Sequence, residues 1–222
     1  MSENEIPTFD GPRLHPQSGA AAKQLVILLH GLGADGNDLF ALAPQFAAVL
    51  PDATFVSPHA PFACDMAPVG YQWFSFQEQT PESVRAGVDT AAPILNAFID
   101  TELARNGLDE EALALVGFSQ GTMMSLHVAL RRPKAVAAVV GFSGSLVDPA
   151  SLASEMTSKP PLLLIHGDAD PIVPVDSHYE AVSSLLTAGL NVESHIRPEL
   201  PHSIDEAGLN YAKEFLVKNF HA

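Results

Sequence analysis

Ala112-Leu113-Ala114-Leu115-Val116-Gly117-Phe118-Ser119-Gln120-Gly121-Thr122 is the stretch on which the fold turns. Its first five residues are apolar without interruption, too short a run for a helix and not alternating, which predicts a strand buried on both faces of a parallel sheet. Gly117-Phe118-Ser119-Gln120-Gly121 follows at once, and Thr122–Leu130 then takes up helical spacing. A G-x-S-x-G string by itself is weak, since average composition throws one up in roughly one chain in fifteen. Between a buried strand and a helix, however, it matches the nucleophile elbow, a strand-to-helix turn so tight that the positions two before and two after the serine must lack bulk. Ser119 would project at a helix N-terminus, where the amide dipole favours developing negative charge. The competing explanation is an accidental glycine-rich turn.

The same strand signal recurs outward from the elbow at Leu25–Leu29, Val136–Val140 and Pro161–Ile165. Thr54–Val56 is a weaker strand candidate, and Val192–Ile196 alternates enough to lie nearer an edge. Helical patterns fall between them: Asp38–Val49, a long one beginning at Thr80-Pro81, Val175–Ala188 closed by Gly189, and Ile204–Phe220. Thr80 reads as an N-cap with proline at the first helical position, and Pro93 should kink or split that helix. Ser203 with Glu206 reads as a capping box for the last one. Strand–helix alternation with buried strands predicts a three-layer α/β sandwich in one domain, with residues 1–22 an irregular segment or edge strand. Pro58–Gln79 is the longest stretch without periodicity; it reads either as a loop pinned by its aromatics or as a flap lining a substrate site.

A serine hydroxyl is a poor nucleophile until a base takes its proton. Of the nine histidines, His202 stands apart, in Leu200-Pro201-His202-Ser203 between the last candidate strand and the last helix. A base needs an acid to hold its tautomer, and His166-Gly167-Asp168-Ala169-Asp170-Pro171 follows a strand and offers two. Asp170 lies further along the loop, extended by the following proline, whereas Asp168 is suited to bonding the turn itself. The His–Asp–Asp spacing matches no standard metal-ligand set, so no metal is expected. An acyl-transfer site also needs amide donors for the oxyanion. The residue after the nucleophile, Gln120, supplies one, and Leu32, between two glycines in His30-Gly31-Leu32-Gly33-Ala34-Asp35-Gly36, is the expected second. That loop has no lysine and is not a phosphate-cradling motif. Ser119, Asp170 and His202 occur in the α/β-hydrolase order of nucleophile, acid and base.

Composition sets the outer limits. The chain has 222 residues, 47% hydrophobic and 17% charged, which excludes a disordered or fibrous protein. Its formal net charge of −15 repels phosphate backbones and anionic lipid, so neither nucleic acid nor stable membrane association is expected. Cys64, the single cysteine, cannot form an internal disulfide and fits a reducing compartment. The acidic start has no apolar run behind it, and no apolar run approaches the length of a membrane span. A cytoplasmic location is the expectation.

Leu29-His-Gly-Leu-Gly-Ala-Asp-Gly36, Gly117-Phe-Ser-Gln-Gly121, His166-Gly-Asp-Ala-Asp-Pro171 and the late His202 together resemble the phospholipase/carboxylesterase family of α/β-hydrolases, over residues 23–220. That family includes bacterial carboxylesterases and acyl-protein thioesterases. Gln72-Trp73-Phe74 is similar to its Trp-Phe stretch near the active site. The resemblance implies an α/β-hydrolase fold with a mostly parallel sheet and no lid domain. It implies a triad of Ser119, Asp170 and His202, with the Leu32 and Gln120 amides as oxyanion hole, no cofactor, and commonly a homodimer. Phe142-Ser-Gly-Ser-Leu-Val147 carries residues of its own, so substrate preference does not transfer.

The expected pocket walls are Leu32, Trp73, Leu146, Ile172 and Val173, a modest apolar set. The activity expected is that of a serine carboxylesterase acting on short- to medium-chain small-molecule esters. Its rivals are an acyl-protein thioesterase or lysophospholipase with the same machinery and, from another class, a catalytically silent ligand receptor. A cysteine nucleophile is excluded because Cys64 lies in the flap and the elbow holds serine.

Overall fold

The computed structural model describes residues 10–220. Its strands are β1 (Arg13–Leu14), β2 (Gln24–Leu29), β3 (Ala53–Val56), β4 (Phe62–Ala63), β5 (Tyr71–Gln72), β6 (Leu113–Phe118), β7 (Ala138–Phe142), β8 (Leu162–Gly167) and β9 (Val192–Arg197). Its α-helices are α1 (Gly36–Phe40), α2 (Ala43–Ala47), α3 (Pro81–Asn106), α4 (Gln120–Arg131), α5 (Leu152–Glu155), α6 (Val175–Thr187) and α7 (Glu206–Phe220). Seven strands form one sheet in the order β1-β3-β2-β6-β7-β8-β9, parallel except for β1, which runs antiparallel along β3. The edge strand expected near the N-terminus is therefore the short β1; residues 1–9 lie outside the described residues.

Period-two alternation explains why the central strands read as unbroken apolar runs. Leu113 and Leu115 of β6, like Leu25, Ile27 and Leu29 of β2, face a core shared with α3, α4 and α6 through Leu95, Ile99, Met124, Leu126 and Leu185. Ala114, Val116, Val26 and Leu28 point the other way, into a core closed by Leu39, Phe46, Leu209 and Phe215 of α1, α2 and α7. Both faces are covered, so each residue of the strand must be apolar. Burying one such Leu or Ile side chain contributes about 1.5–3 kcal/mol. The edge strand β9 has no fully buried residue, which accounts for its mixed composition.

Three local expectations are corrected. The helix expected over Asp38–Val49 is two short ones, because Pro44 lacks the amide needed to bond back to Phe40 and instead opens α2. In α3, Thr80 caps through its side chain to the Ser83 N–H as expected, but Pro93 does not split the helix, which is continuous over Pro81–Asn106. Pro93 sits on the exposed face, so the Asp89 carbonyl it leaves without an amide is open to water, while Leu95, Phe98 and Ile99 hold the opposite face in the core. Ser203 does not cap α7: Asp205 does, its Oδ1 accepting the Gly208 N–H at 2.7 Å and its Oδ2 the Arg197 Nε–H at 2.9 Å.

Candidate active site

Every candidate catalytic residue stands just beyond the C-terminal end of a parallel strand, where an open α/β sheet places its ligands. Ser119 follows β6 with φ 55° and ψ −117° and is 9% exposed. A non-glycine residue in that region carries roughly 1–3 kcal/mol of strain. The surroundings leave it little choice, because the Ser119 N–H donates to the Phe142 carbonyl at 2.8 Å and the turn is crowded on both sides. A Cβ at Gly117 would lie 2.4 Å from the Gly121 carbonyl oxygen, and one at Gly121 would lie 1.8 Å from that of Leu29. These are the two positions at which the sequence called for an absence of bulk.

Asp170, after β8, is 8% exposed, and both of its carboxylate oxygens are engaged. Oδ1 accepts the Ile172 and Val173 amides at 2.8 and 2.9 Å, and Oδ2 accepts from His202 Nδ1 at 2.7 Å. Burial pushes the carboxyl upward, but the His202 ring and the two amides outweigh it and hold Asp170 below the ordinary carboxylate range. Asp168 is exposed and ties loops together: its Oδ1 accepts the Glu199 N–H at 2.6 Å, stitching the β8 loop to the turn that leads to His202. His202 is therefore bonded to Asp170 and not to Asp168.

With Nδ1–H donated to Asp170, the Nε2 of His202 is left as the basic nitrogen. The ring packs on Phe118, the neighbour of Ser119, with centroids 4.8 Å apart. No Ser119–His202 hydrogen bond occurs among those of the described residues. Bonds of this kind are often long in free enzymes and tighten in the Michaelis complex.

The two amides expected to face an oxyanion lie on the elbow and on the loop that follows β2. Gln120 is the first residue of α4, where an amide has no intrahelical acceptor. The Leu32 amide takes part in none of the loop hydrogen bonds among the described residues. Gly31 packs its open face within 3.3 Å of the Ser119 Cβ, measured from where its own Cβ would stand, so the Leu32 loop and the elbow are adjacent.

The expected pocket walls divide. Ile172 is 67% exposed, and Leu32, Leu146 and Val173 are half-buried. Trp73 is corrected: it has no exposed surface, and its indole N–H donates to the His30 carbonyl at 3.0 Å, so it backs the Leu32 loop instead of lining a pocket. The flap around it is built on the β4–β5 hairpin, which the absence of periodicity in Pro58–Gln79 had concealed.

Two buried histidines, quoted in the sequence only as parts of their motifs, support the site's loops. His30 accepts the Ala60 N–H at Nε2, 2.9 Å, so its Nδ1 carries the proton and donates to the Gly31 carbonyl at 2.7 Å; burial holds its pKa below the usual value. His166 bonds the Val173 carbonyl through Nε2 at 2.8 Å, with Asp170 Oδ2 3.4 Å away, and thus closes the acid's loop from beneath. The signal was present: the dipeptide His-Gly directly follows β2 and ends β8, and in both places the ring bonds a carbonyl of the loop beyond. Among the described residues no group of three His, Cys, Asp or Glu side chains is arranged to hold a metal ion.

A seven-stranded sheet of this order, with a strained serine between strand and helix and an acid–histidine pair beyond later strands, defines an α/β-hydrolase. Within that class the chain belongs to the phospholipase/carboxylesterase family, whose model matches residues 16–220. It is 32% identical over 195 residues to the esterase YpfH of Escherichia coli, covering 88% of this chain and 82% of that one. It is 31% identical to a probable inactive carboxylesterase of Oryza sativa, covering 92% of this chain and 88% of the relative. The crystal structure of esterase PE8 superposes with a TM-score of 0.91 at 43% identity, over 95% of this chain and 98% of that one. The expected fold is therefore observed, and the family supports a carboxylic ester hydrolase. No helix among the described residues is long and apolar enough to cross a membrane.

Proposed function

We propose that the protein is a serine carboxylesterase that cleaves short- to medium-chain carboxylic esters through an acyl-enzyme on Ser119. The observation that carries this reading is the 2.7 Å bond from His202 to a buried, doubly amide-held Asp170, on a ring packed against Phe118, the neighbour of the strained Ser119. His202 Nε2 takes the Ser119 proton as Oγ attacks the ester carbonyl. The Leu32 and Gln120 amides receive the oxyanion, and the Asp170 carboxylate stabilises the imidazolium. Collapse of the tetrahedral adduct breaks the bond to the leaving alkoxide, which His202 protonates. Water, deprotonated by the same nitrogen, then releases the carboxylic acid and restores Ser119.

The modest apolar set of Leu32, Leu146, Ile172 and Val173 supports a short acyl chain. Each further buried methylene should add up to about 0.8 kcal/mol until the walls are filled. One observation favours the competing reading, an acyl-protein thioesterase or lysophospholipase: the tip between β4 and β5 exposes Met66 and Val69, at 54% and 74%. A panel of p-nitrophenyl esters from acetyl to palmitoyl, with matching acyl thioesters, decides between them. kcat/KM is expected to peak between butyryl and octanoyl, with no jump at micelle formation. A palmitoyl or thioester optimum replaces this reading, and no turnover of any substrate returns the chain to a silent receptor. A homodimer and a cytoplasmic location, testable by light scattering and by fractionation, belong to the same proposal.

A further inference from the structure

The chemistry above uses only the backbone of Gln120, yet the residue is 1% exposed and both polar atoms of its side chain bond a remote segment. Oε1 accepts the Trp73 N–H at 2.8 Å, and Nε2 donates to the Phe74 carbonyl at 2.8 Å. This orientation is dictated by the partners, since a flipped amide would set donor against donor and acceptor against acceptor. The same flap strand grips the loop that carries Leu32. The Gly33 N–H donates to the Tyr71 carbonyl at 2.9 Å, the Tyr71 N–H to the Ala34 carbonyl at 2.8 Å, and the Trp73 indole N–H to the His30 carbonyl at 3.0 Å. Leu32 is thus flanked on both sides by residues tied to the flap.

The ladder between β2 and β6 ends at Leu29 opposite Gly117, one step before the first loop and two residues before Ser119. Beyond that point the two segments bearing the proposed oxyanion donors are cross-tied by residues 71–74, fastened at one end to the Leu32 loop and at the other to the elbow. An oxyanion donor is effective only within about 2.7–3.1 Å of the position the oxygen will take. The separation of the two amides therefore has to be held to a few tenths of an ångström.

We propose that Gln120 is a positioning residue: through the Trp73–Phe74 backbone, its side-chain amide sets the spacing and direction of the Leu32 and Gln120 backbone donors. The inference rests on the reading that those amides receive the oxyanion. The interaction they make is strongest in the transition state, so its loosening is read in kcat more than in KM. Leu and Glu at this position both keep the backbone N–H, so a loss of rate in a folded variant reports the loss of the side chain's hydrogen bonds.

The test compares Gln120→Leu, Gln120→Glu and Trp73→Phe with the native enzyme. Leu fills similar space without hydrogen bonds, Glu can accept from the Trp73 N–H but cannot, as a carboxylate, donate to Phe74, and Phe removes the indole tie to the His30 carbonyl and some buried volume while keeping the backbone bond to Gln120. With p-nitrophenyl butyrate, both Gln120 variants are expected to lose at least about tenfold in kcat while KM stays within about threefold, with Trp73→Phe moving the same way by less. The inhibition constant of an alkyl trifluoromethyl ketone, whose adduct presents an oxyanion, should rise by the factor that kcat/KM falls. Circular dichroism and melting identify any variant that fails to fold, and the remaining ones then decide.

An unchanged kcat in a folded Gln120 variant, or a loss confined to KM, overturns the inference and leaves the esterase reading standing. Ser119→Ala is assayed in parallel: if it retains turnover, the catalytic reading itself has failed and the positioning role falls with it.

Discussion

On one side of Ser119, the partners stand beyond the ends of the paired strands β8 and β9: Asp170 is held by the amides two and three residues on, and His202 by Asp170 across the two neighbouring loops. On the other side, the flap has no strand in the main sheet and is held by bonds to residues far away in the chain: Gln120, His30, Gly33 and Ala34. The first side carries chemistry on side chains, and the second carries backbone donors whose position is set by something else. Side chains that react must be of particular types, so they leave a motif. A frame that only positions can be made from backbone and two or three polar contacts, and it leaves almost none.

The largest effect expected on this contrast is that of Ser119→Ala, which should cost about 10⁴-fold or more in kcat and abolish covalent labelling by a fluorophosphonate, with the melting curve native. Labelling that persists at another serine would dissolve the distinction between the two sides. Asp170→Asn should follow, with a loss of about 10³–10⁴-fold, because an amide in place of the carboxylate leaves His202 in the wrong tautomer. Asp168→Asn, which disturbs only a bond to the Glu199 amide, should cost less than tenfold. If the order of the two is reversed in folded proteins, the acid has been misassigned.

Acid should act on both sides through buried histidines. His178, packed against His166 with ring centroids 5.6 Å apart, and His127 in the elbow helix are each lowered to about 4, chiefly by burial. Their folded values lie below the unfolded value of about 6.5. Between about pH 6.5 and 4 the unfolded chain therefore binds more protons, and stability falls as the pH is lowered through that window. Each histidine contributes up to about 1.4 kcal/mol per pH unit. Urea melts at pH 7, 6 and 5 should show the slope, and His178→Leu or His127→Leu should flatten it; a slope unaffected by both would place the acid sensitivity elsewhere.

The smallest effect belongs to the rim. Ile172→Ala should raise KM for octanoyl esters a few-fold and leave acetyl esters and kcat nearly unchanged, since this exposed side chain can offer only part of its apolar area. A comparable loss with acetyl esters would mean that the Ile172 side chain shapes the Asp170 loop and does not line the acyl path.

Much of the fold was readable because burial on both faces forces unbroken apolar strands, and β2, β6, β7 and β8 lie where such runs occur. The elbow was readable because two glycines and a serine meet a steric demand that few residues satisfy. The misreadings have a common cause. Asp205 replaces Ser203 as cap, and α3 passes through Pro93, because helix ends and interruptions depend on which face meets solvent. Trp73 was expected in the pocket wall, in a stretch similar to the family's Trp-Phe near the active site; its indole N–H donates to the buried His30 carbonyl instead.

What the sequence determined by itself is the order of strands and helices, the turn at Ser119 and the residue types able to act as nucleophile, acid and base. These follow from chain-local constraints: periodicity, backbone conformation and side-chain chemistry. The tertiary structure alone decided that His202 meets Asp170 and not Asp168, that His166 closes the acid's loop from below, and that Gln120 ties the flap to the elbow. Those are hydrogen bonds that no local pattern specifies, two of them between segments distant in the chain, and a buried polar group must take whatever partner the fold brings within reach.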